Sequence, residues 1–363
     1  MKLALFMPSL HGGGAERAMV TFAREALSRG VSVDLVVARA VGALQPLLPD
    51  GLRLLDLQAT RMLAAAPGLA SYLRRERPQA LFSTITHANI TAAVVGRAAG
   101  SRARIILRQS NAPISEEQDS WSKRVAHRLI PPAYRLADGI IAVSRGVADE
   151  LAEMDPRLQP KVQVVPTPVL SPEILQQGEA DPEHSWLAPG EPPVVLAAGR
   201  LMRHKGFDTL LEAFALVRRC RPARLLIIGE GSYRPELEKK VDSLGLRRHV
   251  DLPGFKRNPF AFMSRARCFV LSSEYEGLPN VLIQALGFGT PVVSTDCKSG
   301  PSEILERGRF GKLVPVGGVF EMAQAIHDSL EQPRQLEAQR SVLERFGVAG
   351  ASAQYLALAG FSA

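Results

Sequence analysis

Short apolar runs and amphipathic stretches alternate along the whole chain. Residues 3–9 (LALFMPS) predict a strand. Residues 15–29 predict a helix with Ala18, Phe22 and Ala26 on one face and Gly30 just beyond its end. Further strands are expected at 31–38, 80–85, 104–109 and 139–144, with helical stretches between them. These strands are continuous Val/Ile/Leu runs rather than apolar–polar alternations, the pattern of a parallel sheet covered by helices on both faces. Pro166, Pro168, Pro172, Pro182, Pro189, Pro192 and Pro193 then crowd one stretch, and the pattern restarts. Strands are expected at 193–200 and 224–231, helices at 209–219 and 234–244, and further strands in HVDLPG, RCFVLSS and PVVSTD. The chain therefore reads as α/β, with two doubly wound domains at 1–168 and 193–345. A linker at 169–192 joins them, and a helical tail at 346–363 would pack back on the first domain. Two such open sheets leave a central cleft, with ligands expected at the carboxyl ends of the strands.

Composition narrows the class. A length of 363 residues suits two domains, and 46% hydrophobic with 22% charged residues excludes disordered, collagenous and disulfide-scaffold chains. No apolar run approaches the roughly 20 residues that span a bilayer. The start, MKLALFMPSL, reads as a buried strand rather than a signal peptide, because a glycine turn follows it and no small-residue cleavage pattern does. Cys220, Cys268 and Cys297 are too far apart for a disulfide framework or a zinc pattern and fit a reducing cytoplasm. The net charge of +8 is uneven. Residues 1–168 hold 21 Lys+Arg against 14 Asp+Glu, so almost the entire excess lies there. Such a field attracts nucleic acid, an anionic membrane face or an anionic substrate.

Several segments carry chemistry. His11-Gly12-Gly13-Gly14 follows the first strand and opens a helix, whose free N–H groups and partial positive charge suit phosphate. It is not a dinucleotide fingerprint, because Arg17 stands where the third glycine would be. Arg200 and Lys205, in GRLMRHKG at a strand end, are close enough to hold two neighbouring phosphates. In SSEYEGLPNVLIQALGFGTPVVST, Glu276 at a strand end can accept from sugar hydroxyls. Gln284 lies two helical turns further on and can face the same pocket. Each motif alone also admits a plain reading as a tight turn, a basic surface loop or loop packing.

Taken in order, HGGGAERA, AVSRGVADEL, VVPTPV, GRLMRHKGFDTLLEAFA and EGLPNVLIQALGFGTPVVST resemble the retaining glycosyltransferases of family four, over essentially the whole chain. The resemblance implies a GT-B fold of two Rossmann-like domains facing a central cleft. It implies a hexosyltransferase that moves a sugar with retention from a nucleotide-diphosphate donor, UDP-hexose or UDP-N-acetylhexosamine, to a cell-envelope, lipopolysaccharide-type or lipid-linked glycan. Carried over residue by residue, Gly13 and Gly14 would lie against the donor, and Arg200 and Lys205 would grip its diphosphate. Glu276 would hold the sugar hydroxyls. Gln284 stands where the family places a second glutamate on the ribose, which gives up a charge-assisted bond. Ser299 and Gly300 would approach the phosphates or the sugar, and Phe255 and Lys256 the base. His87, or its neighbour Thr86, would contact the donor from the first domain. Arg108 and Asn111, at another strand end, would line the acceptor side.

The resemblance implies no metal ion and no cofactor beyond the donor, because the leaving diphosphate itself would take the acceptor's proton while cations stabilise its charge. Trp121 to Ile130 mixes basic and apolar residues at helical spacing. It could lie on the inner, anionic face of the plasma membrane, or form a solvated helix with one core-facing side. Nucleic acid is not expected as a partner, since no RNA- or DNA-binding pattern is present. The competing readings are a sugar-nucleotide epimerase, which needs no acceptor, and a non-catalytic nucleotide-sugar-binding protein.

Overall fold

The computed structural model describes residues 2–111 and 121–361, and of residues 121–126 the backbone alone. The chain folds as two units. Met1–Val169 and Val348–Ala363 form the first, and Leu170–Gly347 the second. In the first unit the apolar runs become β1 (Lys2–Met7), β2 (Ser32–Val37), β4 (Ala80–Thr84), β5 (Arg104–Gln109) and β6 (Gly139–Ala142), joined by β3 (Arg53–Asp56) and β7 (Val162–Val164). The sheet order is β3-β2-β1-β4-β5-β6-β7, and every pairing is parallel. In the second unit, β8 (Val194–Ala198), β9 (Arg224–Ile228), β10 (Val250–Asp251), β11 (Cys268–Leu271), β12 (Val292–Thr295) and β13 (Lys312–Val314) are ordered β10-β9-β8-β11-β12-β13, again all parallel. Both sheets are therefore doubly wound, with the chain reversing direction between β1 and β4 and between β8 and β11.

The central strands β4, β6, β8 and β11 are buried along their entire length, which is why they read as unbroken apolar runs. The strands that the apolar pattern does not reveal are β3, β7 and β13. All three stand at sheet edges, where most positions touch solvent and the hydrophobic signal disappears.

Residues 170–192 are not a free linker. They belong to the second unit. Ser171 caps the short helix Pro172–Gln177, with Pro172 in its first turn, where a missing N–H costs nothing. Asn258 Nδ2 donates to the Gln177 carbonyl at 2.8 Å and Ser264 Oγ to the Gly178 carbonyl at 2.5 Å, fixing this stretch to the second unit. The proline crowding thus marks tight turns. The chain then returns at Gly347. The helix Leu336–Phe346 stays with the second unit, whereas the helix Val348–Leu358 enters the first unit's core. Its Tyr355 ring lies 5.2 Å from Phe22 and 6.0 Å from Phe82.

Charges gather at the amino ends of β1, β2 and β3. Lys2 Nζ donates to Glu76 at 2.6 Å and Arg53 to the same carboxylate at 3.2 Å. Tyr72 donates to the buried Asp34 at 2.9 Å. The hydrogen bond from Lys2, then that from Arg53, hold the Glu76 carboxyl down at about 2. A depressed carboxylate contributes stability that is present above its ordinary value of 4.5 and is lost as the pH falls toward about 2. The melting temperatures of wild type and Glu76→Gln should therefore converge across that acid window. A gap that stays constant in calorimetric scans would show that the ionised carboxylate is not what stabilises this corner.

Candidate functional site

In the second unit the chemistry collects at the carboxyl ends of β8 and β11, beside the topological switch. The backbone leaves β8 through Gly199 and makes a single 3-10 turn, Arg203–Lys205, ended by Gly206 at φ 62. A Cβ at Gly206 would stand 2.0 Å from the Ser272 carbonyl oxygen, so only glycine lets this loop run against the end of β11. Two further bonds hold the loops together: Ser272 Oγ donates to the Lys205 carbonyl and the Glu274 N–H to the His204 carbonyl, each at 2.8 Å.

This docking brings two of the expected residues into contact. Lys205 Nζ donates to Glu276 Oε1 at 2.6 Å, and Ser273 Oγ donates to the same oxygen at 2.7 Å. Ser273 is itself fixed, since Thr295 Oγ1 of β12 donates to its carbonyl at 2.6 Å. Both members of the ion pair are largely buried, so their attraction is weakly screened. Arg200, three residues before the 3-10 turn, is exposed and forms no ion pair among the described residues. The cluster therefore holds one paired cation and an oriented carboxylate, and Arg200 is an exposed cation on the same loop that leaves β8.

Around it, the helix Asn280–Gly287 begins just after the Glu276 loop and carries Gln284, which is 6% exposed. After β12 the chain passes Cys297, Ser299 and Gly300. Burial, with the negative charge of Glu276 adding to it, pushes the Cys297 thiol up to about 12, so it is protonated at neutral pH. Ser299 is 2% exposed, and its hydroxyl has no hydrogen-bond partner among the described residues. Gly300 adopts φ 93, and a Cβ there would meet Pro279 Cδ at 2.6 Å. Phe255 is exposed after β10, and Lys256 Nζ sits 5.7 Å from the Phe262 ring.

In the first unit, the expected residues also end strands, but they do not all share one surface. The glycine whose backbone needs its freedom is Gly12, at φ 99. Gly13 is the extended N-cap and Gly14 the first residue of the helix Gly14–Ser28. His87 is exposed in the first turn of the helix Thr86–Ala98. Ile85, just before it, is held at φ 76, a left-handed conformation that costs a β-branched residue on the order of 1–3 kcal/mol. The Ser83–Asn89 bond at 2.6 Å and the Asn89 side chain on the Arg108 carbonyl at 3.0 Å brace this turn. Asn111 is exposed beyond β5.

Arg108 does not line an acceptor surface. It is 2% exposed and donates to Tyr355 Oη at 3.0 Å, Thr84 Oγ1 at 3.2 Å and Thr167 Oγ1 at 2.7 Å. Its guanidinium is a buried tie between β5, the end of β4 and the returning C-terminal helix. Ser273 and Thr295 were not expected in the site. The only sequence signal for the first was the serine pair that ends the RCFVLSS run.

Two family models match the chain: Glycosyltransferase Family 4 over residues 12–169 and Glycosyl transferases group 1 over residues 192–332. An uncharacterized glycosyltransferase of Methanocaldococcus jannaschii is 34% identical over 205 residues, which cover 56% of this chain and 50% of that protein. An N-acetylgalactosamine-N,N'-diacetylbacillosaminyl-diphospho-undecaprenol 4-alpha-N-acetylgalactosaminyltransferase of Campylobacter jejuni is 28% identical over 250 residues, 69% of this chain and 66% of that one. The matches thus span from half to about two thirds of these relatives' length. Among solved structures, Anabaena HepE in complex with UDP-glucose superposes with a TM-score of 0.80 at 22% identity, covering 98% of each chain. That likeness identifies the fold as GT-B.

The close approach at Gly206 yields a direct test. Gly206→Ala meets both a left-handed backbone and a carbonyl oxygen, and should lower unfolding stability by about 2 kcal/mol or more. A denaturation midpoint equal to wild type would mean that the loop is free to move away from Ser272.

Proposed function

The chain belongs to the glycosyltransferases of family four, and from that premise we propose that it transfers a hexose or N-acetylhexosamine, with retention, from a UDP-sugar to a glycan or lipid-linked acceptor. The observation that carries this reading is the Lys205–Glu276 contact at the ends of β8 and β11, with Arg200 exposed on the same loop after β8. These are the groups that a diphosphate and a sugar ring require: cations for the one, a carboxylate acceptor for the other. The UDP-glucose bound by the Anabaena neighbour supports the donor class, and the diphospho-undecaprenol substrate in the Campylobacter relative's name supports a lipid-linked acceptor.

In this reading Arg200 and Lys205 hold the diphosphate and Glu276 the sugar hydroxyls. Gln284 takes the ribose through its amide, and Ser299 and Gly300 approach the phosphate and sugar. Phe255 and Lys256 flank the base. In the first unit, taken by itself, Gly13, Gly14 and His87 are the residues proposed to face a donor, and Asn111 an acceptor. When Lys205 turns to the diphosphate, Ser273 still orients Glu276. The acceptor oxygen forms its bond to the anomeric carbon on the face that the diphosphate leaves. The carbon–oxygen bond to phosphate breaks with its electron pair going to the diphosphate, which takes the acceptor's proton. Arg200 and Lys205 stabilise the charge that develops there.

The first unit carries the basic excess, since residues 348–363 contain no charged side chain. Among the described residues no helix is long and apolar enough to cross a membrane. The basic and apolar segment from Trp121 lies in the helix Trp121–Tyr134, and the side chains of 121–126 fall outside the described residues. Its Arg128 is exposed and Leu129 is 46% exposed. Leu63, at 85%, and Val94, at 46%, lie on neighbouring helical segments of the same unit. This mixture supports peripheral attachment to an anionic bilayer on the cytoplasmic side.

Thermal-shift screening against nucleotide sugars identifies the donor, and product stereochemistry tests the reaction. The anomeric configuration should be retained, Glu276→Ala should lose about a hundredfold or more of turnover, and Gln284→Glu should keep activity within about tenfold of wild type. An inverted product, or a Glu276→Ala protein of near-normal rate, overturns the reading. Conversion of the donor to an epimer without any acceptor would make the protein an epimerase. In flotation, the protein should rise with anionic vesicles and not with neutral ones, and failure to float with either removes the membrane role.

A further inference from the structure

The loops that leave β8 and β11 share a contact that the transfer chemistry does not use. The His204 and Tyr275 rings stack with centroids 4.6 Å apart and planes 15° from parallel. His204 directly precedes Lys205, and Tyr275 directly precedes Glu276. Each loop thus places one flat ring next to one charged group, and ring meets ring beside the point where charge meets charge.

The two contacts differ in what a donor does to them. Without a donor, Lys205 and Glu276 satisfy one another at 2.6 Å. A diphosphate competes for Lys205 and a sugar competes for Glu276, so donor binding weakens the ion pair from both sides. The ring stack plays no part in that competition. An offset face-to-face pair is held by dispersion and the ring quadrupoles, and it survives withdrawal of a neighbouring counter-ion. Two other ties persist with it, namely Ser272 Oγ on the Lys205 carbonyl and the Glu274 N–H on the His204 carbonyl. Both act on the backbone carbonyls of His204 and Lys205, whereas the stack joins side chains.

From this geometry we infer that His204 and Tyr275 are positioning residues, which keep Lys205 and Glu276 at the spacing of a bound sugar diphosphate once the ion pair between them has opened. The inference rests on the donor-site reading above and assigns the stack a role that the free protein does not need. The ion pair and the stack are alternative clamps. In the free protein the ion pair and the stack both join the loops, and in the complex the stack is the side-chain contact that remains beside the two backbone ties.

The test compares the free protein with its complexes. UDP and UDP-glucose serve as probes, with affinity measured by isothermal titration calorimetry and the unliganded fold by its melting temperature. His204→Ala and Tyr275→Ala should each melt within about 2 °C of wild type. Each should bind UDP-glucose about threefold to tenfold more weakly. The double variant should lose no more than either single one, because one truncation already abolishes the stack. His204→Phe, which restores a flat ring, should recover wild-type affinity. Alanine variants that bind UDP-glucose within twofold of wild type overturn the inference. So does a weakening that His204→Phe fails to rescue, or a fall in melting temperature that accounts for the lost affinity. Lys205→Ala and Glu276→Gln, titrated alongside, separate the two levels. If they bind both probes as wild type does, or if wild type binds neither, the donor-site reading fails and this inference with it. If they weaken binding while the ring variants do not, only the inference fails.

Discussion

Every strand of both sheets runs parallel to its neighbours, and this constraint governs where the molecule keeps its chemistry. Parallel strands are connected by helices that cover both faces, so side chains within a strand are enclosed and polar groups are driven to the strand ends. The carboxyl ends of all strands in a sheet then meet along one edge. In the second unit that edge gathers the loops after β8, β11 and β12, and contact between the first two brings Lys205 and Glu276 together from 71 residues apart in sequence. The glycines do the local work: at Gly206 and Gly300 the backbone comes so close to another segment that any side chain would collide with it.

A lysine and a glutamate facing one another in a partly buried site are commonly a structural pair. Here the surroundings indicate otherwise. Ser273 and Thr295 form a relay that orients the carboxylate independently of the lysine. Ser299 presents a buried hydroxyl that is not bonded to the described protein, and Arg200 forms no ion pair among the described residues. The loops are built to a fixed spacing and their charges are only loosely committed. That combination suits a site whose occupant arrives with its own negative charge and its own hydroxyl donors.

Much of this was legible because the strands that matter most are those that sequence reports best. β1, β4, β8 and β11 flank the switch points and are buried on both faces, so their apolar runs are unbroken. β3, β7 and β13 stand at edges and left no such trace. The glycine and charge spacing in GRLMRHKG and EGLPN made these loops legible, since close backbone approach restricts residue type. Arg108 is different. A cation at the end of β5 resembles a ligand-binding group, and what buries it are hydroxyls from Thr84, Thr167 and Tyr355, the last 247 residues away. No local pattern announces partners so distant. The stack of His204 on Tyr275 escaped notice for the same reason, because neither ring identifies its counterpart.

The path of the C-terminal helix bears on how the protein is made. Tyr355, Leu356, Ala359 and Phe361 belong to the same apolar cluster as β1, β2 and the helix Gly14–Ser28. On a ribosome the first unit emerges first, yet part of its core emerges after the whole second unit has been synthesised. The amino-terminal sheet therefore completes its apolar core with residues that follow the second unit, whereas the second unit is contiguous in sequence.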